Sequence, residues 1–409
     1  MKKERKKERK KRVVAAILTL ALSLALLIPY SCQDKQDSSP QLVAQENTSE
    51  FFVNEDMAKT VAQNFMRKTN PSLKSTKNYK LEKIKDEMGE ELIYVINFDE
   101  GGFVLMPADN RIEPILAFSE NNYFETKNVE QINGVGLWVS DTKEGIKKIK
   151  QSKEPQSEVM KELWKKYLTK FRLKDEGDPP DDPCVNSSTT VGPLISTLWC
   201  QNHNFNSDCP TEAWVENRWG CSADFDDQDL YLNGRARAGC VAVALGMIMN
   251  YHEYPTSYNW SQMPQDNFPW DLYGNSVVAD LLYDIGLSSV DMRYKCDISE
   301  ADDVDAVSAL ENDFGYSISV TLSGYNINTT ISEISYGRPV YFSGVKDGKG
   351  HAWVCDGYRT DVICLGDLGY VYNYLSMKFG NFYGTNDGEY YYNNINGYSN
   401  LKIIYGIEP

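Results

Sequence analysis

Cys240 stands at the head of the apolar run "CVAVALGMIM", directly behind Ala238 and Gly239. A thiol on the first residue of a helix meets unpaired backbone N–H groups and the positive end of the helix dipole, and both favour the thiolate. The preceding glycine lets the backbone approach closely and leaves room for a substrate. Taken alone, such a cysteine is a small apolar filler among alanines. A partner changes that reading, and the chain offers only three histidines. His203, in "CQNHNFN", and His252, beside Glu253, read as surface or capping residues. His351 opens "HAWVCDGY" after "KDGKG", 111 positions beyond Cys240, so it falls at the mouth of a strand with Trp353 close by. An imidazole there can take the thiol proton and later return it to a leaving group, which points to acyl transfer through a cysteine nucleophile.

Other chemistries find less support. The nine cysteines contain no CxxC pair, so no structural zinc site or other metal is expected. There is no P-loop and no dinucleotide fingerprint, and no cofactor is expected. "DFDDQD" (Asp224 to Asp229) lacks EF-hand spacing and reads as a solvated acidic loop rather than a calcium site. Asp356-Gly357 reads as a turn, which argues against a transglutaminase-like Cys-His-Asp arrangement using Asp356. Setting Cys32 and Cys240 aside leaves seven cysteines, an odd number; Cys200 with Cys209, or Cys355 with Cys364, could pair, but nothing requires it.

The elements that must position Cys240 and His351 can be read outward from them. Val241 to Met249 is apolar on every side and Pro255 closes the run, which predicts a buried central helix too short to span a membrane. Short β-branched and aromatic runs ("YSISVTLSGY", "RPVYFSGV", "GHAWVCDGY", "LKIIYGIEP") predict an antiparallel sheet. Upstream, Asn54 can cap a helix with Met57, Val61 and Phe65 on one face. "ELIYVINF" and "GGFVLMPAD" form a hairpin, and Met160, Trp164, Leu168 and Phe171 stripe a second helix. Between these blocks, "KDEGDPPDDPCVNSS" (Lys174 to Ser188) is the clearest linker in the chain.

The amino terminus reads as an export signal. Met1 to Ser31 joins a basic stretch to the apolar "VVAAILTLALSLALLI", and Cys32 behind "PYS" resembles a lipoprotein processing site at which the thiol is acylated; simple secretion is the alternative. That segment holds nine Lys/Arg against two Glu, whereas Asn186 onward holds eleven Lys/Arg against twenty-eight Asp/Glu, and the whole chain has net charge -16. So acidic a body argues against a nucleic-acid partner. Any membrane contact is expected only through the lipid anchor.

Quoted together, "GCVAVALGMIMNYHEYP", "RPVYFSGVKDGKGHAWVCDGY", "TLWCQNHNFNSDCP" and "IIYGIEP" resemble the streptopain family of papain-like bacterial cysteine peptidases. "YVINFDEGGFVLMPADNRIEPILAFSE" is similar to the inhibitory propeptide of that family. The resemblance implies an α+β chain: signal peptide 1–31, tether 33–50, propeptide domain 51–173, linker with a processing site 174–188, and a two-lobed papain-like domain 189–409. It implies a secreted or surface-anchored cysteine endopeptidase precursor whose partners are protein or peptide substrates and its own propeptide. Cys240 would be nucleophile, His351 general base and acid, and Gln201 an oxyanion-hole donor. In the family an asparagine orients the imidazole ahead of a Trp-Gly pair. Aligning Phe379-Gly380 with that pair puts Lys378 in its place, which offers the imidazole N–H no acceptor; Asn381 or Ser376 is the substitute if the loop is shifted. The alternative is an impaired relative that binds peptides or proteins at the surface.

Overall fold

Asn54 begins the first described helix as its residue type requires. Its side chain accepts the Met57 N–H at 2.9 Å and caps α1 (Glu55–Thr69), whose buried face is Ala58, Val61, Ala62, Phe65 and Met66. The structure is a computed structural model and describes residues 50–71, 75–131, 133–169, 184, 186–202, 204–210, 235–266, 272–295, 299–346, 348–392 and 401–409. The export signal, Cys32, the tether up to residue 49, Phe171, the "DFDDQD" loop, His203 and most of the linker lie outside the described residues.

After α1 come β1 (Tyr79–Lys85), β2 (Glu91–Phe98), β3 (Phe103–Pro107) and β4 (Ala117–Ser119), paired antiparallel in sequence order. The expected hairpin is the β2–β3 pair, turned through Gly101 and Gly102 at φ 104° and 89°, backbone that glycine adopts without strain. Next are α2 (Asn133–Gln151) and α3 (Glu158–Leu168). The buried face of α3 is Leu163, Trp164 and Tyr167, while Met160 and Leu168 are only partly covered, so the apolar stripe is rotated from its expected position about Trp164.

Downstream are β5 (Ser187–Val191), α4 (Cys240–His252), α5 (Leu272–Leu287), α6 (Asp303–Ser308), β6 (Thr321–Gly324) and α7 (Ile327–Ser335). The chain then builds β7 (Val340–Lys346), β8 (Lys349–Leu365), β9 (Leu368–Lys378), β10 (Gly388–Tyr391) and β11 (Lys402–Tyr405). α4 is the predicted central helix, with every residue from Cys240 to Met249 buried. Of "YSISVTLSGY" only Thr321 to Gly324 is strand.

Among the described residues the strands form one sheet in the order β1-β2-β3-β4-β10-β9-β8-β7-β11-β6. The join between its N-terminal and C-terminal portions is β4 against β10, with Phe118 opposite Glu389 and Ala117 opposite Tyr390. β8 is long enough to pair β7 along its first half and β5 along its second. Strand alternation divides β8: Ala352 and Val354 face the core around α4, whereas Trp353 and Cys355 face a second core shared with Trp138 of α2. A third core mixes α1 and α3 with Tyr372, Tyr374 and Tyr391 of β9 and β10, and Thr48–Pro409 is one compact unit.

Three local expectations are corrected. Asp356 is not in a turn: it lies buried within β8 at an irregularity where Cys355 pairs Met377 and Gly357 pairs Ser376. Cys355 and Cys364 sit nine positions apart on that one strand, about 30 Å at ~3.3 Å per residue, too far for a disulfide. Cys364 instead bonds Cys184, while Cys200, Cys209 and Cys355 carry thiols outside any disulfide. His252, the last residue of α4, is half-buried rather than fully on the surface: its ring packs edgewise on Tyr251 and Tyr316, and burial lowers its pKa.

Candidate active site

Cys240 is the first residue of α4, and Gly239 before it has φ 92°. A Cβ on Gly239 would lie 2.7 Å from the Met292 sulfur, so both conformation and space demand glycine here. The thiol is 8% exposed. Burial pushes its pKa up, the backbone N–H groups of Ala352, Val241 and Cys240 itself draw it down, and Asp303 pushes it up again. Burial, the largest of these influences, favours the thiol over the thiolate.

His351 is the third residue of β8 and pairs with Gly344 of β7. Cys240 and His351 line one cavity of about 460 Å³, together with Tyr341, Asp303, Ser343 and Lys402. The two residues singled out from 111 positions apart are thus brought to a common space. Gln201 shares a separate narrow gap with Cys240, Trp353 and Phe379. Its carbonyl accepts the Ala238 N–H at 3.0 Å, which ties the Gln201 segment to the backbone just ahead of the thiol.

Asp303 and Tyr341 were not anticipated. The Tyr341 hydroxyl donates to Asp303 at 3.1 Å, and Lys402 reaches the other carboxylate oxygen at 3.3 Å. The acidic start of α6 was visible as "ADDVD", but nothing local tells that it would face Cys240.

Lys378 ends β9 with its ammonium 3.8 Å from Asp387, and it also lowers the pKa of buried Asp356 against the upward push of burial. Asp387 is raised to about 6 by burial, partly offset by Lys378 and by the Phe379 N–H, which donates at 2.8 Å. Asp356 accepts from Ser376 Oγ at 2.7 Å and the Ile195 N–H at 3.1 Å. Asn381 donates its carboxamide to the Thr385 carbonyl at 3.0 Å. Lys378 therefore balances two buried carboxylates behind Phe379, whose ring lies 6.2 Å from that of Trp353.

The N-terminal portion presses on this assembly. A Cβ on Gly134, in the first turn of α2, would meet the Trp353 ring at 2.4 Å, and one on Gly344 would meet Leu137 at 2.3 Å. Helix α2 therefore covers the strand pair that carries His351. The loop after Phe382–Gly384 is held from the same side: Asn122 donates to the Asp387 carbonyl at 2.9 Å, the Glu125 N–H to Asn386 Oδ1 at 2.6 Å, and the Asn386 N–H to the Tyr123 carbonyl at 3.0 Å.

Residues 256–391 match the Peptidase C10 family and residues 50–146 match the Spi protease inhibitor family. The first match takes in His351 and Lys378 and begins after Cys240. The thiol protease/hemagglutinin PrtT of Porphyromonas gingivalis is 25% identical over 414 residues, covering 87% of this chain but 42% of PrtT. Streptopain of Streptococcus pyogenes is 26% identical over 350 residues, covering 75% of this chain and 79% of streptopain. A prointerpain A fragment from Prevotella intermedia aligns with a TM-score of 0.55 at 21% identity, over 81% of this chain and 99% of that fragment, and shows the same α+β fold. The two family matches occupy the two portions that meet at β4 and β10, so the chain is similar to the streptopain (C10) cysteine peptidases over its C-terminal portion and to the Spi protease inhibitors over its N-terminal portion.

Proposed function

We propose that the chain is the latent precursor of a cysteine endopeptidase, exported by its basic and apolar leader and anchored through acylated Cys32. The observation that carries this reading is the shared cavity of Cys240, at the start of a buried helix, and His351, on the adjoining strand. His351 takes the thiol proton, the sulfur bonds to the scissile carbonyl carbon, and the tetrahedral oxyanion accepts from Gln201 and the Cys240 N–H. One such donor is usually worth about 2.7–4 kcal/mol. The imidazolium then protonates the departing amine as the C–N bond breaks, and water activated by His351 hydrolyses the thioester.

Residues 51–173 act as inhibitor and 189–409 as peptidase, with the activating cut in the linker 174–188. The packing of α2 over the Trp353 strand and the thiol character of Cys240 support latency before the cut. A peptidyl epoxide directed at thiols tests the proposal: in the processed chain it should modify Cys240 alone, and failure to modify it refutes the assignment. The impaired, surface-binding alternative has one observation in its favour, the engagement of Lys378 with Asp387, and slow or absent labelling of a folded, processed chain is its signature.

A further inference from the structure

The disulfide between Cys184 and Cys364 joins the end of the linker to the far end of β8, across a sequence separation of 180. From Cys184 the chain runs as a strap toward the candidate site. Asn186 Oδ1 accepts the Cys364 N–H at 2.9 Å and the ammonium of Lys166, from α3, at 2.7 Å. Strand β5 then pairs with β8 from Ser187 opposite Val362 to Val191 opposite Tyr358. The Leu194 and Ile195 N–H groups donate to the carbonyl and carboxylate of Asp356 at 2.8 and 3.1 Å, and the strap ends at Gln201.

The composition of β5 makes the disulfide matter. Ser187, Ser188, Thr189 and Thr190 are all exposed, so burial contributes little to holding the strand. In the uncut chain α3 restrains the strap from upstream, both by chain continuity and through Lys166. A cut between α3 and Cys184 turns β5 into a polar terminal strand, the kind of segment that frays.

We propose that the Cys184–Cys364 bond is a clasp that keeps β5 seated after the activating cut and so holds Gln201 in position. This rests on the peptidase reading above for its effect on catalysis, but not for its effect on the strand. The experiment compares wild type with Cys184→Ser/Cys364→Ser, each uncut and cut in the linker by trypsin, using amide hydrogen exchange of residues 187–191 and peptide hydrolysis. In the cut forms, exchange should be at least tenfold faster without the disulfide, and kcat should fall about tenfold with KM within twofold; in the uncut forms, exchange should differ far less. Reducing cut wild type with a phosphine should reproduce the faster exchange, which covers the case of a variant that folds poorly. Equal exchange in the two cut forms overturns the proposal. So does a self-processed wild-type chain whose pieces stay joined until reduced, because the bond then retains the inhibitor segment. If cut wild type proves inactive, the peptidase reading fails while the exchange comparison still decides the clasp.

Discussion

Gly134 packs directly against the indole of Trp353, so close that a Cβ at position 134 would meet the ring at 2.4 Å. One residue falls in the segment that matches the Spi protease inhibitor family, and the other stands two positions from His351 on the same strand.

That contact predicts how latency breaks. Gly134→Leu has no space to occupy and should loosen α2 from β8 at a cost of about 1–3 kcal/mol, the usual range for overpacking. The uncut variant should therefore hydrolyse a peptide substrate roughly 5- to 100-fold faster than the uncut wild type. An equally silent variant with an unchanged unfolding temperature would show that this contact does not govern the site.

Thiol reactivity should follow the cut. Burial pushes Cys200 and Cys209 up to about 12, and it also pushes up Cys355 and, in the uncut chain, Cys240. Iodoacetamide at neutral pH should therefore label none of these four quickly in the precursor and Cys240 alone after processing, read by peptide mass mapping. Cys240→Ala should abolish both labelling and hydrolysis with little change in unfolding temperature, because only a sulfur beside small residues is lost.

For Lys378 the alignment and the buried charges suggest opposite outcomes. The alignment with the family asparagine suggests that Lys378→Asn would supply a missing acceptor and raise kcat. The ammonium, however, offsets the buried carboxylates of Asp356 and Asp387, and removing one partner of a buried ion pair commonly costs about 3–5 kcal/mol. Lys378→Asn should lower the unfolding temperature and reduce kcat, with partial recovery on also changing Asp387→Asn. A stable variant with a higher kcat would restore the orienting role to position 378.

The seam between β4 and β10 should respond to pH. Glu389, opposite Phe118, is raised to about 7, first by burial, with Arg359 opposing and Glu120, Asp361 and Asp356 adding to the rise. A carboxyl whose folded pKa is raised stabilises fully below its unfolded value near 4.5, and that contribution is lost as pH climbs through about 7. At ~1.4 kcal/mol per pKa unit, up to about 3 kcal/mol is at stake between pH 5 and 8. The precursor should unfold at a lower temperature at pH 8 than at pH 5, and Glu389→Gln should flatten the difference. A wild-type profile that rises toward pH 8 contradicts this.

Much of the positioning framework is legible without coordinates because it depends on neighbours in the chain. The Asn54 cap, the hairpin through Gly101 and Gly102, and the helix headed by Cys240 follow from residue type and period over a dozen positions. The candidate pair Cys240 and His351 could be named from type and context, since only three histidines competed. Register and long-range pairing could not be read this way. Asp356 resembles a turn residue until a bulge in β8 buries it against Ser376, and Cys364 has no visible partner until β5 brings the chain near Cys184 back along that strand. Lys378 matches a family position by alignment, yet its charge is claimed by carboxylates that meet it only when β8, β9 and the loop before β10 assemble. Hydrophobic period is a local property of the chain; which buried charges and thiols face each other is decided by strand register across separations as long as 180 residues, and only the folded sheet specifies it.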